Sequence, residues 1–393
     1  MDLNNSEHTV ALQKRLRELI ASEAPQIHLR NGTRVVEDPE EWKAWRAWSA
    51  RLYELQFAGR SWPVEYGGVA DSNPIDEYTI AVEIAAARAP PPLYFATYAA
   101  HAMINFGTEE QKREFLWRTR ASDIVWCQLF SEPQAGSDLG ALRTRAERRD
   151  DVYVINGQKV WNTQAQKADY GFLLARTSKE GSKHAGITAF LVNMRQPGVV
   201  VRPIREITGS EDFNEVFFTD AVVPASHRIG EEGEGWKVAM STLAKERINA
   251  ASYGATTRNA MNDLLKIAKA RTAEYGALPE GYRHKLVNLH AACRISDLLG
   301  LMLATRVQSG NPRVEDPLIA KMFFSETNLA VATFAMELLA RDGIYAEGDT
   351  RAIENGRWAD MFLYARTYAI AGGSSEVIRN VLSERVLAMP REE

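Results

Sequence analysis

From Val10 to about Arg120 the apolar residues return at three- and four-residue steps, with Leu16, Leu19 and Ile20 following Val10 and Ile84 following Ile80. That is the period of a helix with one buried face, so helices are predicted throughout this part. Trp42, Trp45 and Trp48 fall three apart and read as one packed helical face. The stretch 59–68, with Pro63 and the pair Gly67-Gly68, interrupts the run as a loop. Near Ile124 the period changes to alternation, and strand signals continue to about Phe218. Within 152–161, Asn156-Gly157 stands between two β-rich runs and predicts a hairpin that turns at that pair. Further strands are expected over 171–176, 186–192, 199–203 and 215–218. Beyond Trp236 the helical period resumes, in long segments near 236–275, 281–309, 316–340 and 357–388, which is the pattern of a four-helix bundle.

The predicted layout is α+β and multidomain. It has a helical N-terminal domain over 1–121, a middle β domain over 122–231 and a C-terminal four-helix bundle over 232–393. Gly230-x-x-Gly233-x-Gly235 lacks the order of a dinucleotide fingerprint, and Glu231, Glu232 and Glu234 would repel a pyrophosphate. It reads as the turn that joins two domains.

Length and composition agree with this layout and narrow the chemistry. A chain of 393 residues exceeds what one hydrophobic core supports, and 45% hydrophobic with 25% charged residues is ordinary for a soluble globular protein. A formal charge of −4, without a Lys/Arg-rich run, offers no field for nucleic acid. Cys127 and Cys293 are the only cysteines, which excludes a disulfide framework and a cysteine-based zinc cluster. Two reduced, buried thiols in a cytoplasmic protein are expected. The first eleven residues lack the basic start and apolar stretch of a signal peptide, and no stretch is expected to reach membrane-spanning length, so no membrane insertion is expected. Seven histidines without a His-Glu-x-x-His spacing give no metal site.

The segment 126–138 runs out of a strand into a loop of Pro133, Ala135, Gly136, Ser137 and Asp138. Small residues let the backbone approach a flat ligand, while Ser131, Ser137 and free N–H groups could bond a heterocycle. From the residues alone, a plain surface loop and one wall of a ligand site both remain open.

The order Glu132-Pro-x-Ala-Gly-Ser-Asp138, followed by Asn156-Gly-x-Lys-x-Trp161-x-Thr163, resembles the acyl-CoA dehydrogenase family. The likeness extends over nearly the whole chain. It includes Trp62-Pro-x-Glu-Tyr-Gly-Gly68, Gly107-Thr-Glu-Glu-Gln-Lys112, Glu215-Val-Phe-Phe-x-Asp220 and Ile370-Ala-Gly-Gly-Ser-Ser-Glu-Val-Ile-Arg379-Asn380. The resemblance implies an FAD-dependent dehydrogenation of an acyl-CoA thioester to the trans-2-enoyl-CoA, with electrons passed to an electron-transfer flavoprotein. It places Gln128, Leu129, Phe130, Ser131, Trp161, Asn162 and Thr163 around the flavin ring, Arg271, Ser374 and Glu376 elsewhere on FAD, and Ser137, Arg247 and Gly373 on the substrate side.

In this chemistry a carboxylate takes the α-proton while the flavin accepts hydride from the β-carbon. Much of the family places that base directly before a Gly-Thr pair near the C-terminus, where this chain has Gly372, and glycine cannot abstract a proton. Other members place a Glu before an Arg on the first bundle helix. Glu246-Arg247 stands there, and Glu246 is the candidate base. Without the resemblance, the same two residues read equally as neighbouring surface charges on a helix. The family's Arg-x-x-Phe-Gly is reduced here to Arg271-x-x-x-Tyr275-Gly276, and its glycine-rich loop is replaced by Glu337-Leu-Leu-Ala-Arg-Asp-Gly343. Such losses imply either a homo-oligomer with rebuilt contacts or a heterotetramer in which a related subunit completes the site. Two other readings stay open: a flavin oxidase or monooxygenase on the same fold, and a non-catalytic partner subunit.

Overall fold

The computed structural model describes residues 6–390 except 29, 31, 33 and 34, and leaves the side chains of 247–251 undescribed. Five helices form the first domain: α1 (Glu7–Glu23), α2 (Pro39–Glu54), α3 (Pro74–Ala86), α4 (Ala96–Phe106) and α5 (Glu109–Arg120). Their starts are encoded locally. Asp38 caps α2 ahead of a proline at its first position, and Thr108 and Gln111 close a capping box at the start of α5. Trp45 and Trp48 are buried as their spacing predicts, and their indole N–H groups donate to the carbonyls of Pro91 and Pro90, both at 2.7 Å. The proline run at 90–92 is thereby fixed to α2.

The middle domain is a sheet of β1 (Trp126–Leu129), β2 (Arg145–Arg149), β3 (Val152–Lys159), β4 (Tyr170–Arg176), β5 (Ile187–Asn193), β6 (Val199–Ile204), β7 (Phe213–Pro224) and β8 (Arg228–Ile229). The strand order is β6-β7-β3-β2-β4-β5-β8, with β1 pairing in parallel to β4. One sequence expectation fails here. Asn156-Gly157 is not a hairpin turn: β3 runs straight through it, with a register shift against β7 between Ile155 and Gly157. The real hairpin joins β2 to β3 at Asp150, whose φ is +53°. Glycine is needed at 157 because a Cβ there would stand 2.5 Å from Thr144 Oγ1. Asn156 is needed because its side chain exchanges two hydrogen bonds with Asp220, at 2.9 and 3.0 Å.

The C-terminal part contains α6 (Gly235–Ala250), α7 (Gly254–Tyr275), α8 (Glu280–Gln308), α9 (Glu315–Leu339), α10 (Arg357–Ile370) and α11 (Ser375–Val381). Two of the four predicted helical segments are therefore split, one by the short turn 251–253 and one by Gly372-Gly373. The bundle core comes from α7, α8, α9 and α10, through residues such as Leu264, Cys293, Val331 and Trp358. α6 is different. Its first turns, Val238 and Ala239, belong to the core shared with the N-terminal helices and the sheet, and its later turns reach α9. It joins the two halves of the molecule.

The expectation about membrane-spanning length also fails at one place. α8 is long and apolar enough to cross a membrane by length and composition. In the fold it packs against α3, α7 and α9, and apolar residues on its free face, including Val287, Ile295 and Leu298, remain exposed.

Candidate active site

The wall predicted over 128–163 is built by two chain segments clamped together. Three carbonyls at the end of β1 accept hydrogen bonds from the segment that leaves β3. Asn162 Nδ2 donates to Gln128 O (2.9 Å), Lys159 Nζ to Phe130 O (2.9 Å) and the Val160 N–H to Ser131 O (3.0 Å). Beneath them, Lys159 and Glu132 form a buried ion pair at 2.8 Å, with side-chain exposures of 0% and 3%. Glu132 also accepts from the backbone N–H groups of Arg143 and Thr144, at 2.6 and 2.9 Å. Burial would raise the Glu132 carboxyl, but the Lys159 ammonium and these hydrogen bonds outweigh it and hold the group down at about 2. Burial draws the Lys159 ammonium down to about 8 against the opposing pull of Glu132.

Beyond Val160 the chain turns sharply. Trp161 has φ +61° and Gln164 φ +59°, both in the left-handed region that costs a side-chain-bearing residue free energy. Asn162 and Thr163 between them are buried, and Asn162 is tied to Asn214 through its N–H (3.1 Å) and its carbonyl (2.8 Å). Trp161 itself is 59% exposed, touching Phe213 edge-on at 6.2 Å between ring centroids. An exposed indole on strained backbone is poorly explained by packing.

Each wall residue offers something different to a flat heterocycle. The Leu129 side chain is in the sheet core, so only its backbone can face a ligand. Phe130 is buried against Phe172. The Gln128 Nε2 is buried without a hydrogen-bond partner among the described residues. A buried orphan donor beside an exposed aromatic face fits the polar edge of an isoalloxazine. Ser137 is exposed in the loop that follows, next to Asp138, which pairs with Lys183 at 2.8 Å.

The second cluster lies where α6, α9 and the α10–α11 turn converge. Gly372 and Gly373 have φ of +67° and +98°, and a Cβ built on Gly372 would stand 3.3 Å from Glu246 Oε1. Lys321, buried on α9, donates from Nζ to the Gly373 carbonyl at 2.7 Å. Burial, followed by the charge of Glu246, pushes the Tyr253 phenol up to about 12. Tyr253 stands in an aromatic group with Phe324 and Tyr368. Arg247 falls on α6, and its side chain lies outside the described residues. Ser374 caps α11 by accepting from the Val377 N–H at 3.2 Å, as the sequence predicts for a helix start. Next to it, the buried Ser375 Oγ has no partner among the described residues, and Glu376 is exposed.

Arg271 belongs to neither cluster. It donates to Asp342 at 2.6 Å and to Leu339 O at 3.3 Å, which fixes α7 to the turn replacing the family's glycine-rich loop. Sequence reasoning assigned no role to Lys159, Glu132, Asn214, Lys321 or Tyr253. For Lys159 the bulge at Gly157 is the cause, because it shifts the alternation from which an inward side chain would be counted. The opposite charges of Glu132 and Lys159 in two adjoining motifs were the signal available.

Comparison with known proteins agrees on family. The family models for the N-terminal, middle and C-terminal domains of acyl-CoA dehydrogenases match residues 6–122, 127–221 and 233–387. The chain is 36% identical over 355 residues to the acyl-CoA dehydrogenase IpdE1 of Mycobacterium tuberculosis, covering 88% of each. It is 30% identical to the human mitochondrial short-chain specific acyl-CoA dehydrogenase over 72% of this chain and 68% of that one. Among solved structures, the Tcur3481-Tcur3483 steroid ACAD superposes with a TM-score of 0.89 at 27% identity, and the ChsE4-ChsE5 complex from Mycobacterium tuberculosis with 0.86 at 28%, each covering 100% of both chains. The chain thus belongs to the acyl-CoA dehydrogenase family of FAD-dependent oxidoreductases.

Proposed function

We propose that this chain dehydrogenates an acyl-CoA thioester between its α- and β-carbons to the trans-2-enoyl-CoA, with Glu246 as the base. The observation behind this is the 3.3 Å between Glu246 Oε1 and the Cβ position of Gly372. A carboxylate anchored on α6 reaches the point next to which other members of the family anchor theirs. Gln128, Phe130, Ser131, Trp161 and Thr163 would hold the flavin ring. Bound FAD supplies the acceptor for the hydride that leaves the β-carbon. The task left to the protein is to bring a desolvated carboxylate to the α-carbon and to keep water away, and the aromatic group around Tyr253 serves the second end.

Glu246→Gln keeps the shape and removes the base. Flavin bleaching by acyl-CoA should then slow by about 10²–10⁴-fold while FAD stays bound. Rapid bleaching in that variant would refute the assignment.

The finer reading concerns substrate and partners. Two structural relatives at 27 and 28% identity bear the name steroid ACAD, and this supports an acyl group attached to a bulky ring system. Comparing flavin bleaching by straight-chain, branched and steroid-type CoA thioesters tests it, and a preference for straight chains would reject it. Electrons pass in this reading to an electron-transfer flavoprotein. The free apolar face of α8, beside a groove of about 610 Å³ bordered by Lys285, Glu326, Glu337 and Arg379, supports an oligomer with a second copy or a related subunit. Two buried, unpaired thiols suit a cytoplasmic setting.

A further inference from the structure

We infer that Lys159 is a positioning residue for the flavin: it clamps the Phe130–Ser131 peptide so that the Ser131 N–H is preset as a donor, with Glu132 as the counter-charge that permits the lysine to be buried. This rests on the proposed flavin site and goes beyond it, since it gives a role to a residue that reaches no ligand itself.

The argument starts from the planarity of a trans peptide, in which the C=O and the following N–H point in opposite directions. Lys159 Nζ holds the Phe130 C=O from the β3 side at 2.9 Å. The Ser131 N–H of the same peptide therefore points away from β3, and it makes no hydrogen bond among the described residues. The next peptide is fixed as well, because Ser131 O accepts from the Val160 N–H at 3.0 Å. With both flanking carbonyls held by adjacent residues of one strand end, the plane carrying the Ser131 N–H has little freedom. A donor fixed in this way costs no reorganisation when an acceptor arrives.

The ion pair is a costly way to fill this space. Replacing a buried pair with neutral side chains of similar volume is often neutral or stabilising, so packing alone gives no reason for it. What an apolar pair cannot do is donate to Phe130 O. Glu132 completes the arrangement, because it neutralises Lys159 and also binds the N–H groups of Arg143 and Thr144.

The test compares FAD affinity and flavin reduction potential across variants. In Lys159→Met with Glu132→Gln, methionine replaces the stem and glutamine still accepts from Arg143 and Thr144. This double variant should unfold cooperatively yet bind FAD about tenfold more weakly, the equivalent of ~1.4 kcal/mol, with a shifted potential. Glu132→Gln alone retains the amine on Phe130 O and should bind FAD within about threefold of the parent. If the double variant folds and matches the parent in both affinity and potential, the inference is overturned. If it does not fold, Ser131→Pro decides: it deletes the N–H and leaves the ion pair, and unchanged FAD affinity there would overturn the inference equally. A parent apoprotein that fails to take up FAD would instead remove the flavin reading itself.

Discussion

The flavin-facing wall and the corner around Gly372 solve opposite problems. The wall is bound from within: three carbonyls of 128–131 are held by donors of 159–162, over an ion pair that water does not reach. The corner is kept open. Two glycines in left-handed conformations leave room there, and a carboxylate from another helix enters that room. The difference teaches what each part must conserve. A rigid heterocycle needs a fixed frame of donors, whereas a proton needs only one carboxylate near one point. That point can be served from α6 or from residue 372, so the anchor can move while the chemistry stays.

The largest effect that would break the contrast is expected at the wall. Lys159→Met alone leaves Glu132 charged and unpaired in the interior, and denaturant unfolding should show a loss of about 3–5 kcal/mol. A loss below ~1 kcal/mol would mean that the wall relaxes as readily as the corner.

Acid should reach both regions through their carboxylates. Glu132 at the wall is held at about 2 from an ordinary 4.5. Asp263 in the bundle is held at about 2 from 3.8; burial would raise it, but Arg88, Arg357 and Lys266 prevail. A folded-state value below the unfolded one means stabilisation that is complete above about pH 4.5 and lost as pH falls towards 2. Glu132→Gln and Asp263→Asn should each flatten that acid limb by on the order of 2 kcal/mol. An unchanged limb in the Glu132 variant would show that the wall pair takes no part in acid unfolding.

At the corner, Gly372→Glu returns a carboxylate to residue 372 while Glu246 remains. Two like charges near one point disfavour ionisation, so flavin reduction should slow about tenfold and its pH–rate profile should move to higher pH. The backbone adds strain of about 1 kcal/mol at φ +67°. Unaltered rates would separate Glu246 from the reaction, and adding Glu246→Gly to Gly372→Glu would then ask whether residue 372 can act as the base.

Legibility in the sequence followed the same division. The helical, β and helical layout could be read because long periodic segments reflect burial directly, as with Trp45 and Trp48 on α2. Strands β4, β5 and β6 fall within two residues of expectation. Asn156-Gly157 misled because a pair that permits positive φ serves a bulge as well as a turn, and only the partner strand decides which. The roles of Lys159 and Lys321 were hidden for a related reason. Each acts on a carbonyl distant in sequence, Phe130 for one and Gly373 for the other, and no local pattern announces such a contact. Glu246 became legible only through what Gly372 lacked.

The smallest expected effect is the most discriminating, because stability and binding should move in opposite directions. Trp161 occupies φ +61° with its ring 59% exposed and a single edge contact to Phe213. A packing residue replaced by glycine loses stability. Here glycine relieves a left-handed backbone and forfeits little burial, so Trp161→Gly should leave the apoprotein as stable as the parent or up to ~1 kcal/mol more stable. FAD affinity should fall about tenfold with the loss of the aromatic face, and Trp161→Phe should recover part of it. That is the pattern of a residue kept strained for its ligand. If Trp161→Gly instead lost more than ~1 kcal/mol and bound FAD like the parent, the indole would be a structural element, and the wall would have to meet the flavin through backbone and small side chains alone.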